Sequence, residues 1–177
     1  MYIVGLGSNL GARFATLAQA AARLDRSAGC RVVARSRVYE SEPLGPPQPL
    51  YLNAALLVES GLLPDAMLSA LLAIEVQLGR VRPSDGSRWG PRILDLDLLW
   101  GPRPYSSPSL VLPHPGLMQR WFALAPLLDV TRGVGELVEL TTTSAAQLEA
   151  LGGVPRDVRS ASFGNEAERM FDADPFV

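Results

Sequence analysis

The chain has no lysine: all 16 of its basic residues are arginine. That absence excludes a lysine Schiff base and the phosphate-binding lysine of a P-loop. Any positive charge offered to a ligand therefore comes from guanidinium forks, which stay charged and grip carboxylates or phosphates in two-pronged fashion. Cysteine is almost missing as well. Cys30 stands alone, which excludes an internal disulfide and a cysteine-based zinc site and suits a reducing compartment. No uninterrupted apolar run reaches the ~18 residues of a membrane helix. The start, MYIVGLGSNLG, lacks the basic region and long apolar stretch of a secretory leader. A cytoplasmic protein without a membrane partner is expected. The formal charge of −2 supplies no broad basic field, so nucleic acid is not an expected partner either.

What is present is enough apolar material for a core. The chain has 177 residues, 47% hydrophobic and 19% charged, which suits one folded domain. That domain is expected over residues 1–155, with a polar and mostly irregular tail over 156–177. Residues 2–6 (YIVGL) read as a strand ending in the glycine turn GSNLG. Phe14, Leu17, Ala18, Ala21, Leu24 and Ala28 recur at helical spacing, with Gly29 where a C-terminal cap belongs. Residues 31–41 (RVVARSRVYES) and 51–60 (YLNAALLVES) read as two successive strands, hence an antiparallel pair. Pro64 suits the first turn of a second helix carrying Leu68, Leu71, Leu72, Ile74 and Leu78, stopped by Gly79. A strand over 93–100 completes the order strand, helix, strand, strand, helix, strand. That order predicts an α+β protein of ferredoxin-like βαββαβ type, with both helices on one face of a mainly antiparallel sheet. C-terminal additions follow: a short helix within HPGLMQRWFALAPLLDV and a late strand or hairpin at VGELVEL.

The strand RILDLDLLW raises the chemical question, because Asp95 and Asp97 interrupt an apolar run. Alternation puts Leu94, Leu96, Leu98 and Trp100 on one face and Ile93, Asp95, Asp97 and Leu99 on the other. The aspartates then lie about 7 Å apart on one surface, a spacing able to straddle hard cations such as Mg²⁺. Arg80, Arg82, Arg88 and Arg92 fall just upstream, a set suited to polyphosphate. The same arginines could equally pair with Asp95, Asp97, Glu75 and Asp85 as surface ion pairs. Glu75 breaks the stripe of the second helix and should need an arginine or other donor near the core. His114, the single histidine, sits between two prolines. Tyr51, Asn53 and Phe122 offer stacking and edge hydrogen bonds for a flat heterocycle. GLGSNLG, with spacing GxGxxxG, is an imperfect dinucleotide fingerprint, so an oxidoreductase stays open as a reading of that segment. So does an inactive ferredoxin-like interaction module.

Taken in order, GLGSNLG, SEPLGPPQPLYLNAALLVES, IEVQLGRVR, RWGPRILDLDLL and LPHPGLMQRWFALAPL resemble the 6-hydroxymethyl-7,8-dihydropterin pyrophosphokinase family. The resemblance implies transfer of a diphosphate from ATP to the pterin hydroxymethyl group with release of AMP, a step of folate biosynthesis. ATP would be the co-substrate, and two Mg²⁺ ions would be held by Asp95 and Asp97. Arg80 and Arg92, with those aspartates, match the family's catalytic groups. Tyr51 and Phe122 would sandwich the pterin, while Ser41, Pro43, Leu44, Asn53, Trp89 and Asp95 shape its pocket. Glu75, Arg82, Arg88, Leu98, His114 and Arg120 fall on the ATP side. The implied partners are these two small molecules, and the implied state is a monomer. The sequence departs from some relatives at Ser41-Glu42, in place of a Thr-Pro pair, and at Pro115, in place of an aromatic residue.

Overall fold

The structure, a computed structural model, describes residues 1–81 and 90–163. Its elements run β1 (Tyr2–Ser8), α1 (Arg13–Arg26), β2 (Cys30–Arg35), β3 (Arg37–Ser41), β4 (Tyr51–Ser60), α2 (Pro64–Gln77) and β5 (Asp95–Trp100). A small hairpin of β6 (Tyr105–Ser106) and β7 (Val111–Leu112) follows, then α3 (Trp121–Thr131), α4 (Val138–Ala150) and β8 (Ser160–Ser162). The local signals behave as their chemistry requires. Pro64 occupies the first turn of α2, and Gly29 and Gly79 take positive φ beyond the ends of α1 and α2. Phe14, Leu17, Ala21 and Leu24 form the buried stripe of α1.

The main sheet has the order β5-β1-β4-β3-β8, with β2 also pairing with β4, and every pair is antiparallel. The protein is thus α+β with an antiparallel sheet. Strand β4 lies at its centre and alternates between two interiors. Leu52, Ala54, Leu56 and Val58 join Val4, Leu6, Leu96 and Leu98 beneath α1 and α2. Ala55 and Leu57 face the other way, with Ile3 and Leu99, into a second core closed by Leu124, Leu127 and Val130 of α3. The first two helices therefore share one face, as expected, and the added α3 covers part of the other. The reason is that β1, β4 and β5 carry apolar residues at both parities, so a bare second face would leave large side chains in water.

Five expectations change. Residues 31–41 form two strands, because Ser36 replaces a regular rung: its N–H donates to the Ala55 carbonyl at 2.9 Å and its Oγ accepts from the Ala55 N–H at 2.8 Å. The β2–β4 register also shifts between Val32 and Ala34. In β5 a shift opposite Ile3 and Val4 turns Trp100 toward the α3 core, away from Leu96 and Leu98. Leu99, expected on an open face beside the aspartates, is buried under α3. VGELVEL begins α4 instead of forming a strand, because its short apolar run packs on α3 and continues into helix-compatible residues. The segment expected to be irregular from 156 contains β8, whose Ser160, Ala161 and Ser162 pair with Tyr39, Val38 and Arg37. Small residues carry no pattern that would announce a strand. The free edge of β3 recruits them through backbone hydrogen bonds.

Candidate functional site

The second face of the sheet is only partly covered. Where α3 stops, β1, β4 and β5 are left as the floor of an open cavity of about 800 Å³. The floor is made of backbone. Gly5 pairs with Ala55 on one side and Asp97 on the other, and Gly7 with Asn53 and Asp95. A Cβ on Gly7 would come within 3.6 Å of Asp95 Cβ and 3.7 Å of Tyr51 Cδ1, and one on Gly5 within 2.9 Å of Leu99 Cδ1. These glycines are strand residues, not a turn cradling a dinucleotide. They keep the floor flat where Asp95, Tyr51 and Asn53 border Gly7 and Leu99 borders Gly5. Alternate glycines within a strand, a sign of close approach, are the signal that could have marked them.

Electrostatics divides the two aspartates. Asp95 is bracketed: Oδ1 accepts from Arg80 Nη1 at 2.6 Å and Oδ2 from Arg92 Nη1 at 3.0 Å. Arg80 also pairs closely with Glu75. Glu75 is 1% exposed, and its Oε1 accepts the N–H of Leu96 at 2.7 Å, a group on the free edge of β5. The acid that interrupts the α2 stripe thus has the arginine expected as one possible partner, and an edge amide in addition. Burial opposes the charge on Arg92, but Asp95 and Tyr51 hold its pKa above the ordinary value. The Asp97 carboxylate accepts no direct hydrogen bond from the described residues. Burial, then the charge of Asp95, raises its carboxyl above the usual range, while His114, Arg120 and Arg80 pull it back. Two carboxylates converge here with the repulsion between them incompletely cancelled. Two adjacent carboxylates with hard oxygens form a donor set that fits a divalent cation such as Mg²⁺.

Loops on either side are tied together through Asn9, which is 1% exposed. Its Oδ1 accepts the Arg92 N–H at 2.7 Å, and its Nδ2 donates to Gln48 Oε1 at 3.0 Å and the Pro49 carbonyl at 3.1 Å. The segment that leads into Tyr51, at Gln48 and Pro49, and Arg92 are therefore referred to one buried amide. Tyr51 lines the wall, its hydroxyl donating to the Gly90 carbonyl at 3.3 Å. Asn53 is oriented by Ser41, its Nδ2 donating to Ser41 Oγ at 2.9 Å. At the α3 end, the His114 ring is fixed by the Gly116 N–H, which Nδ1 accepts at 3.0 Å. The Arg120 side chain lies across Gly116, where a Cβ would sit 2.8 Å from the guanidinium carbon.

Ser41, Leu44, Tyr51, Asn53, Glu75, Arg80, Arg92, Asp95, Asp97, His114, Arg120 and Phe122 all line this one cavity. Pro43 is not among its lining residues, and the Leu98 side chain lies in the α1–α2 core, 2% exposed. The parity that aims Asp97 into the cavity aims Leu98 away from it, so only its backbone is on hand for a ligand. Arg82, Arg88 and Trp89 lie outside the described residues. Gly5, Gly7, Asn9, Leu68, Leu72 and Gly116 belong to the site or its frame, and reading the sequence did not single them out as such.

A concave site with a flat backbone floor, an aromatic wall, an oriented amide and ion-paired arginines beside convergent carboxylates belongs to the class that takes small, partly anionic molecules. Comparison with known proteins makes the class specific. The family model for 7,8-dihydro-6-hydroxymethylpterin-pyrophosphokinase (HPPK) matches residues 3–132. The 2-amino-4-hydroxy-6-hydroxymethyldihydropteridine pyrophosphokinase of Methylorubrum extorquens is 40% identical over 151 residues, 84% of this chain and 94% of that protein. The Bacillus subtilis protein of the same name is 39% identical over 144 residues, 80% and 82% of the two chains. The Synechocystis protein of that name is 42% identical over 129 residues, 72% of this chain and 65% of its own. The chain belongs to the HPPK family.

Proposed function

We propose that the protein is an ATP:6-hydroxymethyl-7,8-dihydropterin diphosphokinase acting in folate biosynthesis. The pterin hydroxyl oxygen forms a bond to the β-phosphorus of ATP, its proton passes to water, the bond from that phosphorus to the α,β-bridging oxygen breaks, and AMP leaves with that oxygen. The observation that carries this reading is the cavity itself, where Asp95, Asp97, Arg80 and Arg92 meet Tyr51, Asn53 and Phe122 on one floor. The pterin lies over Gly7, with Tyr51 and Phe122 on its faces and Asn53, Ser41 and Leu44 at its rim. Arg80 and Arg92, held on Asp95 in the free protein, turn to phosphate oxygens when ATP enters. There they balance charge that shifts toward the leaving AMP. His114 and Arg120 face the phosphates from the α3 end, with Glu75 orienting Arg80. Arg82, Arg88 and Trp89 complete the ATP and pterin contacts. Mg²⁺, two ions in this reading, would be held by Asp95 and Asp97 and would neutralise the triphosphate. Because both reactants are placed by fixed groups on adjacent strands, the acceleration comes from orientation and electrostatics.

The strand order β5-β1-β4-β3 with α1 and α2 on one face supports a ferredoxin-like core extended by α3, α4 and β8. One chain supplies the whole described lining, in keeping with a monomer of one domain. A lone cysteine favours the cytoplasm. No described helix is long and apolar enough to cross a membrane. Incubation with ATP, Mg²⁺ and the reduced hydroxymethylpterin, followed by nucleotide separation, tests the function. AMP is expected; ADP would indicate an ordinary kinase, and no turnover by folded protein would end the reading.

A further inference from the structure

Glu40 is buried on the face of the sheet opposite the cavity, yet it lies between two residues that shape the cavity's wall. Its Oε1 accepts from Arg13 Nη1 at 3.0 Å and its Oε2 from Arg159 Nη1 at 3.3 Å. Its backbone N–H donates to the Arg159 carbonyl at 2.9 Å. The Glu40 and Arg13 side chains are 8% and 11% exposed, so this carboxylate depends on its partners in place of water. Each end of the network reaches the wall. Arg13 Nη1 also donates to the Leu50 carbonyl at 2.8 Å, one residue before Tyr51. On β3 the Tyr39 carbonyl and Ser41 Oγ, either side of Glu40, receive the Asn53 amide at 3.4 and 2.9 Å. Arg159 directly precedes β8, the strand that turns β3 from an edge into an interior strand. That strand is anchored by Phe163, whose ring lies 5.5 Å from that of Phe14. All of β8 lies beyond residues 3–132, the part matched by the family model.

We infer that Arg159 and β8 are a positioning device for the pterin side of the site, acting through Glu40 and Arg13 on Ser41, Asn53 and Tyr51. This rests on the reading of those three residues as the pterin wall. Arg80, Arg92, Asp95 and Asp97 hang from the other flank of the sheet, so loss of Arg159 loosens pterin binding and spares the phosphate side. Arg159→Gln is expected to raise the pterin KM about 10-fold while kcat and the ATP KM stay within about twofold. Equilibrium titration of the reduced pterin, followed by its fluorescence, should show the same weakening, and Arg159→Lys should recover most of it. Arg13→Gln should produce the same split from the Leu50 end. An unchanged pterin KM and Kd in Arg159→Gln would overturn the inference, as would a parallel fall in kcat and in affinity for both substrates. Wild-type protein that binds pterin but releases no AMP would defeat the proposed function, and the titration would still decide the role of Arg159. Wild-type protein that does neither would overturn both.

Discussion

The two faces of the sheet differ in how far helices cover them. Beneath α1 and α2 the face is closed and apolar, and Leu17, Leu52, Leu56, Leu71 and Leu98 are buried almost completely. On the other face α3 seals only the end bearing Ile3, Leu57 and Leu99. The rest, from Gly5 to Gly7 and from Asp97 to Asp95, is left to the cavity. One strand can serve both because β alternation sends Leu96 and Leu98 into the closed side and Asp95 and Asp97 into the open one. Stability and chemistry are thereby assigned to opposite parities of the same residues in sequence.

If that division is correct, substitutions on the open side should cost activity while those on the closed side cost stability. The largest effect is expected for Asp97→Asn, with kcat falling at least about 10³-fold as charge stabilisation at the phosphates is lost. The same change should stabilise the unliganded protein at neutral pH. The folded-state pKa of Asp97 is raised by burial and by Asp95, so its ionised form opposes folding. Below the ordinary aspartate pKa, about 4, both states hold the proton and the penalty is absent. It grows as pH rises through the raised value and is complete above it. Thermal melting from acid to neutral pH should therefore show the variant gaining on wild type as pH increases; a constant difference would refute the assignment.

Arg92→Ala comes next, with kcat reduced about 10²- to 10³-fold and pterin affinity in an ATP-free titration nearly unchanged. Gly7→Ala adds a single methyl group to the floor, in ordinary contact with Asp95 and Tyr51, and should weaken pterin binding about 10- to 100-fold by occupying the space of the ring that lies over it. Equal pterin affinity would mean the ring does not lie over Gly7. Leu71→Ala tests the closed side. It should lower unfolding free energy by about 2–5 kcal/mol in urea, with the least effect on turnover per folded molecule. A large fall in kcat there would erase the distinction between the faces.

Much of the site could be read along the chain, because its residues announce themselves against their background. Asp95 and Asp97 stand out in a run of leucines, Glu75 in an apolar stripe, and the arginines where lysine is missing altogether. Tyr51 to Ser60 was recognisable as a strand at both ends. What escaped notice was either small or distant. Gly7 looks like the start of a turn until β1 is seen to pass through it. Asn9 looks like a turn residue until its amide is found between Pro49 and Arg92. Ser160 to Ser162 carry no periodicity, and only the unpaired edge of β3 makes them a strand.

Composition and local pattern were sufficient to dictate the elements of the core, the antiparallel pairing of β3 with β4, and the parity that keeps both aspartates together. Those properties depend on contacts within a few residues and on the twofold repeat of an extended chain. The covering of the second face by α3, the bulge that turns Trp100, and the clamp of Glu40 between Arg13 and Arg159 depend on segments separated by up to 146 positions in sequence. Such contacts arise only when surfaces left over from local folding meet, and burial then decides which of them pair.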